Sequence, residues 1–160
     1  MTPTSRHRPP LIGALLRMPW ERVNEQLLAG LHERGFTDIG AAHLSVLQWP
    51  GPDELRPSEL AAQSRMSKQA LNYLLGQLEH LGYLQRRDDP RDQRFKRIAL
   101  TARGRRAAQA MRDIVRTVER EWEHELGTER FARLRLLLTD LNEHLAAAPT
   151  RTRSTDAAEP

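Results

Sequence analysis

Five polar side chains recur along one short segment near the middle of the chain: Lys68, Gln69, Asn72, Tyr73 and Gln77. Steps of three and four residues place them on one face of a helix. Their chemistry is hydrogen bonding rather than proton transfer or nucleophilic attack. Amide side chains match the N6 and N7 edge of adenine, and lysine matches phosphate. A charged run follows, Asp88-Asp89-Pro90-Arg91-Asp92-Gln93-Arg94, with Lys96 just beyond it. An arginine at such a tip suits the minor groove, where narrow A·T tracts concentrate negative potential. Asp92 is spaced to brace Arg94 through a carboxylate–guanidinium contact. The candidate DNA contacts are therefore Ser67, Lys68, Gln69, Asn72, Tyr73, Gln77, Arg91, Asp92, Arg94 and Lys96. Each set also has a plainer reading, a solvated helix face and a solvated turn. The helix alone does not decide between them; the charged run after it favours nucleic acid.

The elements that must position these residues have clear ends. Ser67 is a suitable N-cap, and Met66 and Leu71 are spaced as a hydrophobic staple across it. Leu71, Leu74, Leu75 and Leu78 form the buried stripe of that helix. Gly82 stands where a left-handed residue should close it, and Tyr83 can pack back on Leu78. Upstream, Pro57 suits the first turn of a helix over Ser58 to Arg65 that buries Leu60 and Ala61. Downstream, Leu84 to Arg87 and Phe95 to Leu100 read as strands. Ile98 and Leu100 should face inward and Arg97 and Ala99 outward, with the charged tip outside any core. Two helices with a tight joint and then two strands point to a winged helix-turn-helix.

The flanks read as helices and tails. Met1 to Pro10 is a flexible arm. Leu11 to about Arg34 is a helix carrying Ile12, Leu16, Trp20, Val23, Leu27 and Leu31 on one face, kinked near Leu15 to Pro19 and ended by Gly35. Asp38 to Trp49 is a second helix, stopped by Pro50-Gly51-Pro52. Thr101 caps a long helix to Leu126, with Ala107, Met111, Ile114, Val115, Val118, Trp122 and Leu126 as its stripe. Gly127 closes it, and Thr128 caps a last helix in which Phe131, Leu134, Leu138, Leu141 and Leu145 form a heptad-like seam. One winged lobe cannot cover all these stripes. A homodimer is the economical expectation, joined through Leu16 and the Phe131 to Leu145 seam, with an intramolecular three-helix packing as the alternative. The expected fold is mostly α with a small β-wing. It divides into an arm (1–10), a dimerisation helix (11–37), the winged DNA-binding lobe (38–101), two dimerisation helices (102–145) and a disordered tail (146–160).

Composition narrows the function further. The chain has 160 residues and a net charge of +4, unevenly spread. Between Arg56 and Arg106 twelve Lys/Arg face five Asp/Glu, a net +7, which leaves −3 for the rest. A basic centre of this kind is the footprint of an anion-binding surface. Cysteine is absent, which excludes disulfides, thiolate metal sites and thiol redox switches. With no signal-peptide core and no long apolar run, a soluble cytoplasmic protein without a membrane partner is expected. Glu121 and His124 have a metal-compatible spacing but lack a second set. No phosphate-binding glycine loop, nucleophile elbow or zinc-protease motif occurs. We therefore expect neither an enzyme nor a cofactor or metal.

The segments Glu59-Leu60-Ala61, Ser67-Lys68-Gln69-Ala70, Leu78-Glu79 with Gly82, Asp89 to Arg94, and Leu100-Thr101 with Gly104 together resemble the MarR family of bacterial transcription regulators. The resemblance covers roughly residues 11 to 145. It implies a homodimer held by the first and last two helices, with one winged lobe per subunit. It also implies binding to pseudo-palindromic operators, usually as a repressor. Many relatives release DNA when a small aromatic or anionic compound enters the crevice between lobe and dimer region. For such an effector the expected residues are Trp20, His43 and Met111, where the first, second and fifth helices should meet. Three positions depart from the family pattern. Tyr73 and Gly76 stand where a basic and an acidic residue are common, and Arg97 stands where the strand is often apolar. The lack of cysteine excludes the family's thiol-peroxide sensing branch. A non-specific architectural DNA binder and a winged-helix protein-interaction module are the alternatives; Gln69, Asn72, Arg91 and Arg94 argue against the second.

Overall fold

The computed structural model describes residues 10–48, 54–64, 66–90 and 92–147. The element order is α1 (Ile12–Glu33), α2 (Ala41–Leu47), α3 (Pro57–Ser64), α4 (Lys68–His80), β1 (Leu84–Asp89), β2 (Asp92–Leu100), α5 (Ala102–Leu126) and α6 (Thr128–Ala147). This is the mostly helical architecture with a small β-wing. No helix among the described residues is long and apolar enough to cross a membrane. The expected arm and tail, Trp49 with the Pro50 to Pro52 stop, and Arg91 lie outside the described residues, Pro10 and the last turn of α6 apart.

The chain forms two compact units, Met1–Val118 and Glu119–Pro160. The cut differs from the expected separation of lobe and dimerisation helices, and packing explains why. The second half of α1 and the first half of α5 belong to the core of the lobe. Leu27 and Leu31 are buried with Leu44, Val46, Leu60, Leu71, Leu75, Leu78, Ile98, Ala107, Met111 and Ile114. Gly30 on α1 allows this approach, since a Cβ there would meet the Ile114 side chain at 2.9 Å. The first half of α1 is outside this core: Ile12, Leu16 and Trp20 are exposed.

Helix α4 ends as its sequence demands. Ser67 Oγ accepts the Ala70 N–H at 3.1 Å. At the other end Gly82 adopts φ +76°. The Tyr83 N–H then reaches the Leu78 carbonyl at 2.9 Å and the Gly82 N–H reaches Glu79 at 3.0 Å, a complete Schellman closure. α5 starts on this closure. Thr101 Oγ1 donates to the Gly82 carbonyl at 2.6 Å and accepts the Gly104 N–H at 3.1 Å. The backbones come so close that a Cβ on Gly104 would sit 2.0 Å from the Tyr83 oxygen. α6, by contrast, begins at Thr128 itself, and the Gly127 carbonyl takes the Phe131 N–H at 3.0 Å. Thr128 is therefore a helical residue rather than the expected cap.

Arg103 binds three elements at this joint. It donates to the Leu81 carbonyl at 2.7 Å and to Asp38 at 2.9 Å, and its guanidinium lies 4.4 Å above the Tyr83 ring. The buried Tyr83 hydroxyl donates to Asp38 Oδ1 at 2.5 Å. Burial, and then this bond, push the Tyr83 hydroxyl above the ordinary phenol range, so it stays a donor. For Asp38, burial alone would raise the carboxyl. The Tyr83 hydrogen bond, a backbone N–H and the Arg103 charge outweigh it and hold the group below the usual carboxylate value. A lowered carboxyl contributes stability that is complete above the unfolded value, about pH 4, and is lost as pH falls through the folded value. Asp38→Asn should therefore destabilise the protein at pH 7, by a margin that shrinks steadily below about pH 4. Urea titrations at neutral and acidic pH measure the margin, and a constant difference would remove the ionised pair from this role.

Candidate nucleic-acid interface

The outward face of α4 carries the residues whose spacing suggested base reading. Ser67, Lys68, Gln69, Asn72 and Tyr73 are exposed along it, Tyr73 to 67%. Gly76 continues the same face, and a Cβ there would meet nothing within 4 Å. Gln77 differs from the rest. It is half-buried, and its Oε1 lies 3.1 Å from His43 Nε2. His43 Nδ1 in turn accepts the Gly40 N–H at 3.0 Å, closing the start of α2. A groove of about 510 Å³ runs beside these groups, lined by His43, Asn72, Tyr73, Gly76, Gln77, His80 and Leu81.

The hairpin is longer and tighter than its sequence suggested. The strands run to Asp89 and from Asp92, pairing Leu84 with Leu100, Arg87 with Arg97, and Asp88 with Lys96. A register shift between Asp88 and Asp89 brings Asp89 opposite Asp92. The expected seven-residue tip is thus mostly strand. One of its acids is also not outside the core: Asp89 is fully buried. Two arginines explain this. Arg56 lies 2.6 Å from Asp89 Oδ2 through Nη2 and donates to it through Nε at 2.7 Å, while Arg97 Nε lies 3.0 Å from the same oxygen. Charge neutralisation makes the burial affordable. Ala99 is buried too, so the expected alternation along β2 fails between Ile98 and Leu100. Ile98 is bonded to residues 54 and 55: the Glu54 N–H reaches the Ile98 carbonyl at 2.8 Å, and the Ile98 N–H reaches Leu55 at 2.9 Å.

The exposed cations of the wing also have partners. Arg94 forks onto Asp92, with Nε 3.1 Å from Oδ1 and Nη2 3.0 Å from Oδ2, while its guanidinium stays open to solvent. The hydrogen bonds that Arg94 donates to Asp92 pull the Asp92 carboxyl below its ordinary value and raise Arg94. Lys96 pairs with Asp88 across the strands, and Arg86 reaches Glu79 at 3.4 Å. Arg56 lies flat on Phe95, 4.6 Å from its centroid. Arg56, Asp89 and Arg97 carry this frame, and none was singled out as a site. The available signal was Arg97, a charge beside the inward Ile98 where an apolar residue is usual.

The three residues expected around an effector do not share one setting. Trp20 is exposed on α1, and Met111 is core at 5% exposure. His43 faces Gln77 on α4, and the groove it lines includes neither of the others. Its position among apolar neighbours on α2 was misleading, because the N-terminal turn directs its ring to the Gly40 N–H. Of the residues expected at a dimer interface, Leu16, Leu134, Leu141 and Leu145 are exposed, Leu138 is half-buried and Phe131 is buried.

The MarR family model matches residues 37–94, the helices and hairpin just described. The winged lobe of this chain is thus similar to that of MarR-family proteins. It is 33% identical over 103 residues to the exopolysaccharide II synthesis transcriptional activator ExpG of Rhizobium meliloti (strain 1021), which covers 64% of this chain and 53% of that protein. The chain thus spans about half the length of that curated relative. Among solved structures, transcriptional regulator PA4135 superposes with a TM-score of 0.63 at 25% identity, over 89% of this chain and all of that one. Wild-type MarR from E. coli gives 0.65 at 24%, over 84% and 98%. FabT of Streptococcus pneumoniae, solved in complex with DNA, gives 0.68 at 20%, over 84% and 95%, and speaks for the fold.

In this lobe, Asp89 is the part of the wing that cannot be exchanged. Asp89→Asn leaves Arg56 and Arg97 partly buried without their counter-ion. The cost should be about 2–3 kcal/mol, below that of breaking a fully buried pair because both arginines retain some solvent. Chemical denaturation measures it; a change under about 0.5 kcal/mol, the scale of a neutral surface substitution, would contradict the assignment.

Proposed function

We propose that the chain acts as a homodimer that binds a pseudo-palindromic operator and regulates transcription as a repressor released by a small effector. The observation that carries this reading is a single lobe presenting an exposed polar helix face, Lys68 to Tyr73, and an exposed wing arginine, Arg94. The first face suits a major groove and the second a neighbouring minor groove. Lys68, Arg94 and Lys96 add sequence-independent attraction to phosphates. The fold shared with FabT, which was solved with DNA, supports the same partner. Two apolar stripes support the dimer: Leu11, Ile12, Leu15 and Leu16 at the start of α1, and Leu134, Leu137, Leu141 and Leu145 on α6. Contiguous exposed apolar surface of this kind calls for a partner, and a second copy supplies the same stripes.

Gel-shift titration with two variants tests the reading. Arg94→Ala should weaken operator binding by about 1–3 kcal/mol with an unchanged circular dichroism spectrum. Leu138→Glu with Leu141→Glu should yield monomers by light scattering and lose tight operator binding, because two half-sites are no longer linked. Unaltered affinity in the first variant, or a monomeric wild-type protein at micromolar concentration, would refute the respective part. The relative ExpG is named an activator, which supports activation as a second reading. Promoter output in a deletion strain separates the two: it rises under repression and falls under activation.

Effector release rests on the exposed ring of Trp20 beside the apolar first turns of α1. A planar aromatic acid can stack there, and shifts DNA binding only through its different affinity for the two states. Trp20→Phe should weaken operator release by salicylate-like compounds without changing binding in their absence. Equal release from wild type and variant would exclude Trp20 as the contact.

A further inference from the structure

We infer that Gln77 reads DNA as a hydrogen-bond donor, and that His43 is the positioning residue that sets this polarity. The inference rests on the DNA-binding reading and adds the base it prefers. A backbone N–H can only donate. The Gly40 N–H points to His43 Nδ1 at 3.0 Å, so Nδ1 is the acceptor nitrogen of a neutral ring. The proton then sits on Nε2. Nε2 is 3.1 Å from Gln77 Oε1, and a donor there requires an oxygen opposite. The chain Gly40 N–H to His43 to Gln77 thus has one direction, fixed at its start by the backbone. It pins the carbonyl oxygen of Gln77 toward α2, and the amide nitrogen is the group left to face a ligand.

A free glutamine on a reading helix can turn its amide either way, and pairs bidentately with adenine by accepting from N6 and donating to N7. Gln77 must share its oxygen with His43 to do so. Guanine makes no such demand: its major-groove edge offers O6 and N7, both acceptors. The neighbourhood admits a base edge at this point. Gln77 lines the groove over Gly76, where the missing side chain leaves open space on the exposed face of α4. Gln77 therefore favours guanine, which offers two acceptors, over thymine, which offers only O4, and both over adenine and cytosine. Oε1 keeps a second lone pair, so the preference is graded, on the order of tenfold for one hydrogen bond.

Selection of the full-length protein on a randomised duplex library, followed by sequencing, tests this. The wild type should enrich a motif with one guanine per half-site that depends on Gln77. His43→Ala frees the amide, and adenine should rise about tenfold at that position. Gln77→Glu keeps an oxygen for His43 and the cap on α2, but replaces the donor by an acceptor. Cytosine, whose N4 donates, should then take the place of guanine. His43→Gln keeps a side-chain donor toward Gln77 and should retain guanine. An unchanged motif in His43→Ala and Gln77→Glu overturns the inference while leaving DNA binding intact. So does a uniform loss of affinity across all sequences in Gln77→Glu, which would make Gln77 a backbone contact. A wild type that enriches no motif overturns the DNA-reading function itself, and this inference with it.

Discussion

The lobe depends on the joint where α4 ends and α5 begins. A helix of thirteen residues such as α4 does not hold itself in place. Its C-terminal carbonyls must find donors in a crowded region. Here they find them in two ways. Gly82 turns the backbone left-handed, so the chain's own N–H groups fold back on Leu78 and Glu79. Arg103 then reaches from α5 to the Leu81 carbonyl and holds Asp38 with the same guanidinium. Each contact constrains a different element, and Tyr83 is buried where they converge. The close approach at Gly104 follows from this convergence, since no side chain fits between the two backbones.

The wing solves another problem with the same residue types. On the proposed DNA-binding function it must stay stiff, yet offer a cation to its partner. Its ion pairs separate by burial. Arg56, Asp89 and Arg97 form a sheltered set, with the Asp89 side chain fully buried. Removing Asp89 leaves two arginines without their counter-ion, at a cost of about 2–3 kcal/mol. Arg94 and Asp92 form an open pair, with 86% of the Arg94 side chain exposed. Pairs of that kind contribute about 0–1 kcal/mol. Arg94 can therefore leave Asp92 for a phosphate or a base edge at small cost, whereas the Asp89 set holds the strands in register. Two aspartates three residues apart thus act oppositely, and solvent access is what separates them.

Much of the helical frame was legible from local rules. Ser67, Gly82 and Thr101 are caps whose chemistry acts within a few residues, and the leucine stripe of α4 is a periodicity. What escaped was non-local. Nothing near Asp89 in sequence announces Arg56, which is thirty-three positions away and carries the pairing charge. The backbone bonds that lay residues 54 and 55 along Ile98 have no side-chain signature either. Ala99, too, is buried where a simple alternation puts it outside. The polar partners of His43 escaped for a related reason. Its apolar neighbours on α2 suggested a crevice, but a side chain in the first turn of a helix is drawn first to the unpaired N–H beside it.

That competition has a consequence for how such a surface reads sequence. A glutamine in a list of polar residues looks like an adaptable partner, able to accept or donate. In the fold, its freedom ends with the first hydrogen bond it makes to its own protein. The Gly40 N–H cannot reverse its polarity, so neither can the neutral imidazole that accepts it, nor the amide oxygen that the imidazole serves. A capping bond that steadies a seven-residue helix thereby sets the hydrogen-bond character of a side chain on another helix. Gln69 and Asn72, on the same helix, are exposed where Gln77 is half-buried. On one helix, side chains of similar chemistry thus differ in what they can recognise, and the difference originates in the backbone of α2 rather than in α4.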